Sequence, residues 1–165
     1  MKTNRDFEDL LSDFAACRVR FLIVGAYALV FYGRPRATGD LDVWVDPTPP
    51  NAARVFEALR KFGAPLDRLV PADFEKKGIV FQIGVEPSRI DVLTSLTGLE
   101  FSRAWTRRKH ARFGSQRVGV LAPRDFLRNK RALGRKKDLA DVEELERGKR
   151  RVGKRARGTR RKRGT

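Results

Sequence analysis

Apolar positions along the chain follow two periods, one helical and one of strands. In residues 6–16, Phe7, Leu10, Leu11 and Phe14 recur at helical spacing with acids between them, which predicts an amphipathic helix. Residues 19–24 are a short β-rich run, ended by Gly25, and predict a buried strand. Residues 26–32 predict a helix that stops at Gly33. Pro35 prevents its continuation, so 34–39 read as a loop. Residues 41–45 alternate with acids as a strand does. Asp46-Pro47-Thr48-Pro49-Pro50 predicts a turn. Asn51 is then expected to cap a helix reaching Phe62, with Val55, Phe56 and Leu59 on its apolar face.

The second half continues the mixture. Residues 79–85 and 89–94 predict two strands, and Glu86-Pro87-Ser88 between them is short enough for a hairpin. Residues 99–109 predict a helix and 117–121 a further strand. Pro123 suits the first turn of a helix running to Leu133. Gly134 interrupts, and 136–145 predict a last helix. No internal repeat is present. Strands and helices so interleaved predict an α/β or α+β fold, a mixed sheet flanked by helices with further helices at the C-terminal end.

The length of 165 residues fits one domain with one core. No apolar run approaches the roughly 20 residues of a membrane span. Met1-Lys2-Thr3-Asn4-Arg5-Asp6 leads into an acidic amphipathic stretch rather than a basic and then apolar leader, so a cytoplasmic location is expected. The net charge of +17 is uneven. Residues 147–165 hold 11 Lys/Arg and no acid, leaving +6 on residues 1–146. The expected organisation is a folded domain over 1–146 and a basic tail over 147–165, disordered when free.

The residue inventory narrows the chemistry. A single cysteine, Cys17, excludes an intrachain disulfide and a cysteine-cluster zinc site, and reads as a core thiol at the end of the first helix. The single histidine, His110, follows Arg107-Arg108-Lys109 and reads as a surface residue of a basic patch. Carboxylates and metal ions are left to carry any reaction. Asp40 and Asp42, two apart on a strand, project from the same face. Such neighbours repel unless a cation joins them, and their hard oxygens suit Mg²⁺ or Mn²⁺. Alone, Asp-x-Asp is equally an exposed strand with two solvated acids.

The surroundings add meaning. The strand before Gly25 runs into a helix whose first N–H groups, at Gly25 and Ala26, can face a phosphate chain. Arg34 and Arg36 can take phosphate oxygens, and Thr38 can donate its hydroxyl or order the loop. Together, Val24-Gly25-Ala26, thirteen residues, then Asp40-Leu41-Asp42 resembles the signature of the nucleotidyltransferase superfamily, whose members include DNA polymerase beta-like enzymes. Gly33-Arg34-Pro35-Arg36-Ala37-Thr38-Gly39-Asp40-Leu41-Asp42 is similar to the Gly-x-x-Arg-x-Thr-x-Asp-x-Asp pattern of the branch with AbiEii-type toxins and minimal nucleotidyltransferases. Asp91, in Arg89-Ile90-Asp91-Val92-Leu93, stands where the family has a third carboxylate. Val120 to Leu133, including Lys130-Arg131-Ala132-Leu133, and Lys136-Lys137-Asp138-Leu139-Ala140-Asp141-Val142 resemble two later family helices. The match covers residues 19–145. It departs at Ala26, where many members carry a phosphate-contacting serine.

The resemblance implies transfer of a nucleoside monophosphate from a nucleoside triphosphate to a hydroxyl acceptor. It implies two Mg²⁺ or Mn²⁺ ions on Asp40, Asp42 and Asp91. Gly25, Ala26, Arg34, Arg36, Thr38 and Lys130 would face the nucleotide, and Asp138 would order the site. RNA (tRNA) or a protein would be the acceptor, the basic tail favouring RNA, and a toxin-like element implies an antitoxin-like partner. The alternatives are a nucleotidyltransferase for small molecules of aminoglycoside type, and a non-catalytic nucleic-acid-binding protein on the same fold. Phe101 and Trp105, four apart, read as core rather than as a base-stacking pair.

Overall fold

The computed structural model describes residues 4–33, 38–85, 88–136, 138–139, 142–143 and 146. Helix α1 (Arg5–Ala16) begins where Asn4 accepts a hydrogen bond from the Asp6 N–H at 3.0 Å, a side-chain cap on an otherwise unpaired donor. Its Phe7, Leu10, Leu11 and Phe14 are all buried. Phe14 meets Phe21 edge to face at 5.2 Å. Each such side chain stabilises the fold by about 1.5–3 kcal/mol relative to exposure. Cys17 closes the helix, half-buried against the core.

Strand β1 (Phe21–Ile23) leads into α2 (Gly25–Phe31), then β2 (Leu41–Val45) and α3 (Pro49–Phe62). A 3-10 turn (Pro71–Glu75) precedes β3 (Val80–Ile83) and β4 (Ile90–Leu93), which are antiparallel neighbours as the predicted hairpin requires. Residues 86–87 of its turn lie outside the described residues. Helix α4 (Phe101–Arg107), β5 (Lys109–Phe113), β6 (Gln116–Val120) and α5 (Pro123–Leu133) follow. The strands form one mixed six-stranded sheet in the order β3-β4-β2-β1-β6-β5. β1 runs antiparallel to β2 and parallel to β6, and β2 is parallel to β4. The expected mixed sheet flanked by helices is therefore the architecture found. The central β1 is buried at all three positions, which explains its unbroken apolar run. No helix is long and apolar enough to cross a membrane among the described residues.

Two expectations fail for physical reasons. The helix expected over 99–109 spans only Phe101–Arg107, and Lys109 opens a strand. β5 has only Ala111 and Phe113 as apolar residues because it is the sheet's edge, mostly exposed and charged, which discourages pairing with other chains. The second failure concerns Asn51. Thr48 occupies the cap position of α3, and Pro49 and Pro50 form its first turn, where missing N–H groups cost nothing. Asn51 is inside the helix and buried. Its Oδ1 accepts from the Arg20 N–H at 2.7 Å, and its Nδ2 donates to the carbonyls of Arg20 at 3.0 Å and Asp46 at 2.9 Å. It thus ties the start of β1 to the end of β2. Asn51→Ala removes the partner of the Arg20 N–H and of the Asp46 carbonyl, while the Arg20 carbonyl keeps the Asp46 N–H at 3.1 Å, and is expected to cost about 2–3 kcal/mol. Urea unfolding checks this; a loss below about 0.5 kcal/mol, the size of an ordinary surface change, contradicts it.

Candidate active site

Strand pairing gathers the acids. The Val24 N–H donates to the Asp42 carbonyl at 3.0 Å, so the end of β1 lies beside the start of β2. On the other side, β2 and β4 pair in register, with Asp42 opposite Asp91. Asp40 precedes β2, and its N–H and carbonyl both meet the Thr38 hydroxyl, at 3.3 and 3.2 Å. The Thr38 hydroxyl thus ties the backbone at Asp40 just before β2. One end of the sheet therefore carries Gly25, Asp40, Asp42 and Asp91.

Gly25 touches this group more closely than its sequence suggested. Its φ is +60°, and a Cβ there would stand 1.9 Å from Asp42 Oδ2. Only glycine leaves room for the carboxylate. Ala26 follows in the first turn of α2. Burial, and then the charges of Asp91 and Asp40, push the Asp42 carboxyl up to about 6, while Lys130 and Arg89 act in the opposite sense. Three acids thus share one field, with Lys130 close enough to be felt. Lys130 Nζ donates to Asp138 Oδ1 at 2.6 Å. Asp138 is buried, and among the described residues its Oδ2 has no hydrogen-bond partner. The pair ties α5 to Asp138, and the Lys130 charge reaches Asp42.

Arg89 was given no role by sequence reasoning. Its Nε donates to Asp91 Oδ1 at 2.9 Å, and its Nη2 to Asp40 Oδ2 at 3.1 Å and Asp91 Oδ2 at 3.3 Å. Gln82 Nε2 adds a 3.3 Å bond to Asp91 Oδ1. The available signal was the two-residue spacing of Arg89 and Asp91, which puts both on one strand face. Among the described residues no three ligand side chains stand at metal-binding spacing. What lies between Asp40 and Asp91 is a guanidinium. The donor set nevertheless suits a hard divalent cation: carboxylate oxygens only, mutually repelling and already gathered around one positive charge.

Arg34 and Arg36 lie outside the described residues, as do the tail 147–165 and parts of the last predicted helix. His110 is exposed on β5. Phe101 is buried and stacks on half-buried Trp105 at 5.7 Å, and the Arg108 guanidinium covers the Trp105 ring at 3.8 Å.

No family model matches the sequence, and no curated protein matches it. Solved structures do. A crystal structure from Thermotoga maritima, named "putative nucleotidyltransferase", superposes with a TM-score of 0.53. The match covers 91% of this chain and 92% of that one, at 11% sequence identity. The chain has a nucleotidyltransferase-like fold. At this identity the likeness concerns the fold, and the chemistry rests on the side chains just described.

Proposed function

We propose that the protein is a metal-dependent nucleotidyltransferase of the AbiEii-type branch, moving a nucleoside monophosphate from a nucleoside triphosphate to a hydroxyl of RNA or protein. The observation that carries this reading is the juxtaposition of Asp40, Asp42 and in-register Asp91 at the sheet end where Gly25 yields space to Asp42. A structural role does not explain three adjoining acids, one of them disfavoured in its charged form.

In the reaction, the acceptor oxygen bonds to the α-phosphorus as the bond to pyrophosphate breaks. Asp40, Asp42 and Asp91 would hold two Mg²⁺ or Mn²⁺ ions, which supply Lewis acidity at the α-phosphate and neutralise the leaving pyrophosphate. Asp91 is assigned to receive the hydroxyl proton. Lys130 offers its ammonium to the phosphates, and Asp138 positions it through their 2.6 Å contact. Gly25 and Ala26 offer backbone N–H groups, and Arg34, Arg36 and Thr38 would supply further donors to the nucleotide phosphates. Ala26 has no hydroxyl, so the backbone must suffice there. The basic segment 147–165 favours an RNA acceptor by counterion release.

The experiment is incubation of the full chain with each α-labelled NTP, Mg²⁺ or Mn²⁺, total RNA and a cell lysate. Label is expected in one macromolecular fraction, with one NTP preferred. Absence of label from every fraction with all four NTPs and both metals counts against the reading.

A further inference from the structure

Resting on the reading above, we infer that Arg89 is a built-in counter-cation of the acidic site, which a divalent metal must displace before it can bind. Three observations meet here. First, Arg89 lies across the cluster: Nε and Nη2 reach both oxygens of Asp91 and one of Asp40 at 2.9–3.3 Å. Asp91 Oδ1 already accepts from both Arg89 Nε and Gln82 Nε2, and the guanidinium charge stands between Asp40 and Asp91, where a cation shared by them would sit. A metal ion there competes with Arg89 for the same oxygens and meets its positive charge.

Second, the pairing is sheltered. The side chains of Arg89, Asp40 and Asp91 are 27%, 30% and 11% exposed. At that burial a fork-shaped, charge-assisted contact is held more strongly than a surface pair. It also offsets a repulsion that the strand register makes unavoidable, because Asp42 faces Asp91 in β2 and β4 while Asp40 lies two residues from Asp42. The metal-free fold therefore gains from Arg89.

Third, release needs no change in the sheet. The Arg89 carbonyl accepts from the Leu41 N–H at 2.9 Å, which fixes its backbone against β2. Only the side-chain torsions have to turn for the guanidinium to leave. The backbone that carries the acids stays in register, so the site would be assembled before metal arrives. A single positive charge suffices to hold the acids, whereas a divalent ion carries twice that charge and also takes nucleotide phosphates as ligands, and wins when both are present.

The test uses the full chain with Arg89→Met, which keeps length and loses charge, and Arg89→Lys, which keeps charge and loses the fork. Mn²⁺ binding is measured by electron paramagnetic resonance, and melting temperature with and without Mn²⁺. Arg89→Met is expected to bind Mn²⁺ roughly tenfold tighter than the natural protein, the order of one lost charge-assisted competitor. Its metal-free melting temperature should fall, and Mn²⁺ should restore more of it than in the natural protein. Arg89→Lys should lie between the two. Equal or weaker Mn²⁺ binding by Arg89→Met, with the natural protein binding well, overturns the counter-cation and leaves the metal site standing. No Mn²⁺ binding by any of the three proteins overturns both. Should Arg89→Met not fold, Arg89→Lys decides alone: binding no tighter than that of the natural protein overturns the inference.

Discussion

Asp42→Asn is expected to abolish nucleotidyl transfer and, in the same protein, to raise the melting temperature without metal. The two effects share one cause. Asp42 is half-buried, next to Asp91 and Asp40, and this holds its carboxyl up at about 6 against an ordinary 3.8. A carboxyl whose folded pKa lies above its unfolded value binds its proton more tightly in the fold, so at neutral pH its ionised form weakens the fold. Asparagine has nearly the same shape, preserves the close fit against Gly25, and carries no charge. Its amide still has to leave water, which reduces the gain to about 1 kcal/mol, a few degrees for a domain of this size. The loss of function is larger. One anionic ligand of the catalytic cations contributes several kcal/mol of transition-state stabilisation, so transfer should fall roughly a thousandfold. Calorimetry and the labelling assay read the two halves. An Asp42→Asn protein that melts lower while remaining active would refute both the electrostatic account and the catalytic assignment.

That trade between stability and chemistry was only partly legible in the sequence. Strand β2 matches its expected bounds, Leu41–Val45, because buried apolar residues alternate there with an acid that must face one side. Helix α1 follows its four apolar residues for the same reason. Charged β5 was invisible, since an edge strand has little to bury. The start of α3 was misplaced because two prolines read as a turn, although a helix accepts proline in its first turn. The spacing of Asp40 and Asp42 suggested a pair and the family resemblance added Asp91, and parallel pairing of β2 with β4 brings Asp42 and Asp91 into register. Arg89 is different in kind. An arginine opening a strand is ordinary, and nothing local shows that its guanidinium meets a carboxylate 49 positions away. Gly25 falls between these cases. The sequence suggested a glycine needed for close approach of a phosphate, and the structure shows close approach of Asp42.

Gly25→Ala should therefore damage the site through Asp42. The new Cβ would lie 1.9 Å from Asp42 Oδ2, 2.8 Å from its Cγ and 3.1 Å from its Cβ. Turning the Asp42 carboxylate away relieves the first two contacts but leaves the third, which the β1–β2 pairing holds tight. The positive φ of +60° adds the strain of a left-handed alanine, about 1–2 kcal/mol, and the overpacking about 1–3 kcal/mol. Together they predict a loss of about 3 kcal/mol in urea unfolding, with the carboxylate expelled from the site and transfer lost. Gly33→Ala is the control: φ is +73° but nothing among the described residues lies within 4 Å, so only the backbone part, about 1 kcal/mol, should be felt. A double-mutant cycle separates the parts further. In an Asp42→Ala background the 1.9 and 2.8 Å contacts no longer exist, so Gly25→Ala should cost little more than Gly33→Ala. If Gly25→Ala costs the same with and without the Asp42 carboxylate, the glycine serves its own backbone, and its place in the sequence pattern owes nothing to the acid it touches.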